Sequence, residues 1–207
     1  MFVLDKQTFW GADTTTLTRF VECWEQFYKN SPKIDYFAEL NIDGNLSEEN
    51  ISLLLRWKDP RLLTHPKATT EGRFPNELVV RVLNQRDELN RFRRAEITTE
   101  EFTKKTGEIF ETGIVWRLFL FHIARPWEWP IADQHVFRAH KILFGVDKPK
   151  SIDEFTKKYK ACFERLAQDF RCQSGIDDSD RKEVVRANKR LDNALMAYGQ
   201  FLSVYNK

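Results

Sequence analysis

Apolar positions recur at helical spacing along most of the chain. Leu17, Phe20, Val21, Trp24, Phe27 and Tyr28 make one stripe behind the capping residues Thr14 to Thr16, so a helix is predicted over 14–28, ended by Asn30-Ser31-Pro32. A short helix is expected over 34–40, then a turn at Asp43-Gly44-Asn45. Ser47, with Asn50 three residues on, opens a helix through Ile51, Leu54 and Leu55 that Asp59-Pro60 closes. Residues 77–95 read as one amphipathic helix, with Leu78, Val79, Val82, Leu83, Leu89 and Phe92 inward and Arg81, Arg86, Arg91, Arg93 and Arg94 on the polar side. Thr98 and Glu101 form a capping box, and their helix breaks at Gly113. Residues 114–124 are apolar nearly all round, which predicts a buried central helix. After the loop at 125–130, a helix starts at Ala132 or Asp133 and runs to Phe144-Gly145. A second capping box, Ser151 with Glu154, opens a helix to about Phe170, and a last helix leads from 177–181 to near Tyr205.

The chain shows no internal repeat and no alternating strand pattern, so the expected fold is all-α with eight or nine helices. Residues 60–76 hold three prolines and Gly72, an irregular connection suited to a lobe boundary or a loop. At 207 residues the chain fits one domain over 1–207, or two helical lobes flanking a cleft.

Composition narrows the function classes. Apolar residues make up 42% of the chain, enough for a core, and only 8 Gly and 7 Pro occur, which favours helices over turn-rich β structure. With 33 basic and 31 acidic residues the net charge is +2, so a DNA-binding face would have to be a local patch. Cys23, Cys162 and Cys172 are widely spaced without a C-x-x-C, which argues against a disulfide framework, a zinc site or an iron–sulfur cluster. A reduced, intracellular and cytoplasmic setting is expected, with no metal or organic cofactor. The apolar run at 114–124 is too short to cross a bilayer and carries Arg117 and His122, and no signal-peptide pattern opens the chain. A soluble monomer with no membrane partner is the expectation.

The segment with chemical promise is Asp133-Gln134-His135-Val136-Phe137-Arg138, a carboxylate at a helix start below the loop Trp127-Glu128-Trp129-Pro130. Its D-x-H-V-x-R spacing resembles the catalytic-aspartate segment of the helix-hairpin-helix DNA glycosylases of the endonuclease III type. Ile142, Leu143 and Gly145 continue the resemblance, and Gly113 stands 20 positions upstream, at the last glycine of that family's phosphate-gripping hairpin. The resemblance is specific over about 105–145. It implies hydrolysis of the N-glycosidic bond of a flipped base in double-stranded DNA, leaving an abasic site, with Asp133 stabilising the cationic sugar and orienting water. Trp127, Trp129 and Glu128 would shape the base pocket; Gly113, His135 and Arg138 would touch DNA. Val115 stands where bifunctional members carry their lysine nucleophile, so the implied enzyme is monofunctional; Glu111 replaces a hairpin glycine and would repel a phosphate. Oxidised, alkylated or bulky phage-type modified bases, the last pointing to antiviral defence, are all open as substrates.

Each residue also has a plainer reading. Asp133 is a good N-cap. His135 and Arg138 suit a hydrogen bond or an ion pair within the fold, and Trp127 and Trp129 suit loop anchors. Glu128 suits a loop surface. Arg91, Arg93 and Arg94, offered as DNA contacts, suit a solvated helix face, and His65, Lys67 and Arg73 are equally open. Asp192 and Tyr198 fall on the packed terminal helix, where a buried polar contact is the default. Two rival functions follow: a catalytically inactive DNA-binding or protein-interaction module on the same scaffold, and an unrelated all-α protein whose Asp133 is only a cap.

Overall fold

The computed structural model describes residues 8–9, 12–13, 16–28, 34–59, 77–111 and 113–205. Among the described residues the chain is helical, apart from an antiparallel ladder pairing Thr8–Phe9 with Ala12–Asp13. The chain forms two compact units, Met1–Asn30 with Trp127–Lys207, and Ser31–Pro126. The expected connection at 60–76 lies outside the described residues, as do His65, Lys67 and Arg73.

Helix α1 (Leu17–Glu25) belongs to the first unit, and α2 (Tyr36–Leu40), α3 (Glu48–Lys58), α4 (Glu77–Asn84), α5 (Arg86–Arg93), α6 (Thr99–Ile109) and α7 (Ile114–Ala124) make up the second. The stretch expected as one helix over 77–95 is two. It breaks at Gln85, whose backbone leaves the helical region at φ −102° and ψ 15°. The apolar period runs through this break, which is why the pattern hides it. Capping chemistry behaves as its residues dictate. Ser47 and Asn50 cap α3 reciprocally, and Thr98 and Glu101 cap α6 in the same way. Every residue of α7 from Leu118 to Ala124 is buried, as an all-round apolar helix requires. Phe92, Phe102 and Phe121 form the aromatic centre of this unit, with Phe92 and Phe102 stacked at 4.3 Å.

The first unit combines α1 with α8 (Gln134–Phe144), α9 (Ile152–Glu154), a π-helical stretch Phe155–Lys160, α10 (Ala161–Ser174) and α11 (Arg181–Tyr205). Ser151 caps α9 by accepting from the Glu154 N–H, and the π-helical stretch carries the chain on into α10 without a break. Helix α11 is the spine: it packs along α8 and α1, with α10 alongside. Phe20, Trp24 and Tyr198 meet edge to face between α1 and α11. Trp129, Phe155, Tyr159 and Phe137 form a second aromatic cluster.

Candidate active site

Asp133 is the N-cap of α8. Its backbone is extended, at φ −150° and ψ 158°, and its carboxylate accepts the His135 N–H at 3.0 Å. The residue is half-buried, while the loop before it, Trp129 to Ala132, is wholly buried. A carboxylate at a helix start is favoured by the open N–H groups and by the positive end of the helix dipole. The cap therefore fixes the Asp133 carboxylate at the start of α8.

Helix α11 fixes the same segment from behind. Asp192, only 3% exposed, accepts the Ile131 N–H at 3.1 Å. Gly199 lies against the first turn of α8 so closely that a Cβ there would come within 1.9 Å of the His135 carbonyl oxygen. Arg138 then reaches back, donating to the Gly199 carbonyl at 3.0 Å and lying 2.9 Å from the His135 Nδ1. The buried polar contact expected at Asp192 is present; the close approach at Gly199 is new.

A polar cluster surrounds this grip. The Lys189 ammonium, on a side chain almost wholly buried, sits over the Tyr28 ring at 4.5 Å and donates to the Asn193 amide oxygen. Burial, then the negative charges of Asp192 and Asp133, push the Tyr28 phenol up to about 12. Burial first, then Asp192, Cys162 and Asp133, push Tyr159 well above its usual range. Both phenols stay protonated around neutral pH, and Asp133 and Asp192 act on one shared set of groups. Sequence periodicity had placed Tyr28 on an apolar helix face. Instead α1 ends at Glu25 and Tyr28 sits in the turn beyond it.

The remaining expected site residues are scattered. Trp129 is buried and stacked on Phe155 at 6.0 Å, so it anchors the loop in the core and is not available as a base-stacking surface. Trp127 is half-buried under the Arg181 guanidinium at 4.8 Å, and its indole N–H donates to Glu128 at 3.3 Å. In the other unit, Arg93 overturns its expected role as a DNA contact. It is 7% exposed, and its guanidinium donates to the Ile123, Ala124, Leu40 and Asn41 carbonyls, closing the C-terminal ends of α7 and α2. Its position four residues after Leu89 was the available signal. Arg91 and Arg94 are exposed, and pair with Glu88 and with Glu96 and Asn45.

Gly113 starts α7 in the left-handed region at φ +99°, exposed, with no side-chain cap and with exposed Glu111 just before it. Among the described residues, no group of three or more His, Cys, Asp or Glu could hold a metal ion, and no helix is long and apolar enough to cross a membrane. No family model matches the chain, and neither a curated protein nor a solved structure matches it significantly.

Proposed function

We propose that the protein is a monofunctional DNA glycosylase of the helix-hairpin-helix type, hydrolysing the N-glycosidic bond of a flipped base at Asp133. The observation that carries this reading is a half-buried carboxylate at the start of α8, fixed by its own cap and by α11 on both sides. An oxocarbenium-like sugar needs a preorganised negative charge more than it needs a strong base. Asp133 supplies the charge. Protonated Tyr28 lies within the field of Asp133, with the Lys189 ammonium over its ring.

In this reading, the C1′–N bond breaks with its electron pair going to the base, the Asp133 carboxylate stabilises the cationic C1′ and orients a water, and the water's oxygen bonds to C1′ while its proton passes to the departed base. An abasic site and a free base are the products. The left-handed Gly113 at the exposed start of α7 supports a backbone approach to a phosphate, because no side chain stands there. Trp127, part-exposed beside Glu128 and under the Arg181 guanidinium, is the less buried of the loop's two tryptophans and the one a base could reach if Arg181 moved aside.

A second reading, an inactive DNA-binding or interaction module, draws on the exposed Glu111 beside Gly113. Duplexes carrying a panel of oxidised, alkylated and bulky modified bases separate the two. Incubation followed by alkali should reveal strand breaks on at least one substrate, and Asp133→Asn should remove them. Binding without strand breaks on any duplex favours the inactive module; activity that survives Asp133→Asn removes the catalytic role.

A further inference from the structure

We infer that Asp192 and Gly199 are positioning residues, a two-point clamp on α11 that sets where the Asp133 carboxylate stands. The catalytic part of this inference rests on the glycosylase reading of Asp133.

Neither residue suits the interior of a packed helix by itself. A buried carboxylate loses hydration, and glycine loosens a helix by its backbone freedom. Both have a use here. Asp192 and Gly199 are seven residues apart, two turns, and so share one face of α11. Asp192 takes the N–H of Ile131, two residues before Asp133. Gly199 receives the carbonyl of His135, two residues after it, at a distance no side chain would allow. The Arg138 bond to the Gly199 carbonyl ties the first turn of α8 to the same point. Asp133 is therefore held between two fixed contacts on one rigid helix, with only two residues of play on either side. The shared field of Asp133 and Asp192 on Tyr28 and Tyr159 places both carboxylates at one cluster.

Misplacing a reacting group by about 1 Å is enough to lose about a hundredfold in rate. The expected signature is thus a loss in kcat with KM held within about twofold, since Asp192 touches no substrate.

Asp192→Ala, Asp192→Asn and Gly199→Ala are compared in the full chain, each first checked for folding by its thermal melt. Asp192→Ala should lower kcat about a hundredfold. Asp192→Asn, which keeps an acceptor for the Ile131 N–H, should recover most of that loss. In an Asp133→Asn background, Asp192→Ala should add nothing further. Two readouts need no activity: hydrogen exchange at the Ile131 amide, and the carbon-13 resonance of the Asp133 carboxyl. Asp192→Ala should speed the first and move the second. If no duplex is cleaved by the wild type, the glycosylase reading fails and the clamp is judged on these two alone. Unchanged Asp133 resonance and Ile131 exchange in folded Asp192→Ala, or an Asp192→Asn variant as impaired as Asp192→Ala, overturns the clamp.

Discussion

Two helix starts carry the proposed chemistry, and they are built in opposite ways. Helix α8 begins at a half-buried aspartate that caps it, behind a buried loop, gripped by α11 at Ile131 and at His135. Helix α7 begins at an exposed glycine with no side-chain cap, a nearest atom at 3.9 Å from where its Cβ would stand, and an acidic neighbour in solvent. The contrast separates two demands. A charge that must meet a short-lived cation is useful only if it does not move, so surrounding contacts over-determine it. A backbone that must approach a polyanion is useful only if nothing covers it.

The largest expected effect tests the held end. Gly199→Ala puts a methyl group into the His135 carbonyl and should cost about 3 kcal/mol or more, read by chemical denaturation. A loss below about 1 kcal/mol would mean that α8 can slide on α11 and is not fixed there.

Next comes the far end of α7. Arg93→Ala strips donors from four carbonyls, three of them buried and that of Asn41 exposed, for a loss of about 2–3 kcal/mol. Arg94→Ala, on an exposed pair, should leave the melting temperature unmoved. Equal effects would show that α7 is not anchored from its C-terminal end.

His140 sharpens the comparison from inside α8. It is fully buried, its ring nitrogens have no hydrogen-bond partner among the described residues, and it packs on Tyr159 at 4.1 Å. Burial lowers its pKa to about 3. The folded state thus binds fewer protons than the unfolded one, whose histidine titrates near 6.5. Its contribution is complete above that value and is lost as the pH falls toward 3. Between pH 8 and pH 5 the loss is about 2 kcal/mol. His140→Leu should flatten this part of the profile, and an unchanged profile would mean that the ring is hydrated.

A smaller effect than these belongs to the open end of α7. Gly113→Ala keeps the space but strains a φ of +99°, for about 1–2 kcal/mol of stability. Any DNA affinity supplied by this turn should weaken with little change in the Asp133 chemistry.

What the sequence could disclose divides along the same line. Local rules were legible: capping at Ser47, Thr98, Asp133 and Ser151, the break at Gly113 and the burial of α7 all depend on residues a few positions apart. The split at Gln85 was hidden because apolar spacing continues across it, and the π-helical turn because its residues fit an α-helix equally well. Arg93 looked solvated beside Arg91 and Arg94, although its spacing from Leu89 places it on the inner face. Asp192 was legible as a buried polar group, but not its partner. A contact between residues 131 and 192, or 135 and 199, is tertiary, and no single-chain pattern encodes it.

The most direct test of the role proposed for Asp133 needs no knowledge of a target base. Duplexes carrying a cationic pyrrolidine in place of the sugar, or a neutral tetrahydrofuran abasic analogue, are titrated against the wild type and Asp133→Asn at one salt concentration. A site complementary to an oxocarbenium ion should bind the cationic duplex about a hundredfold more tightly, and Asp133→Asn should abolish that preference. Equal wild-type affinity for the two duplexes, or a preference that survives Asp133→Asn, would contradict a catalytic role for Asp133.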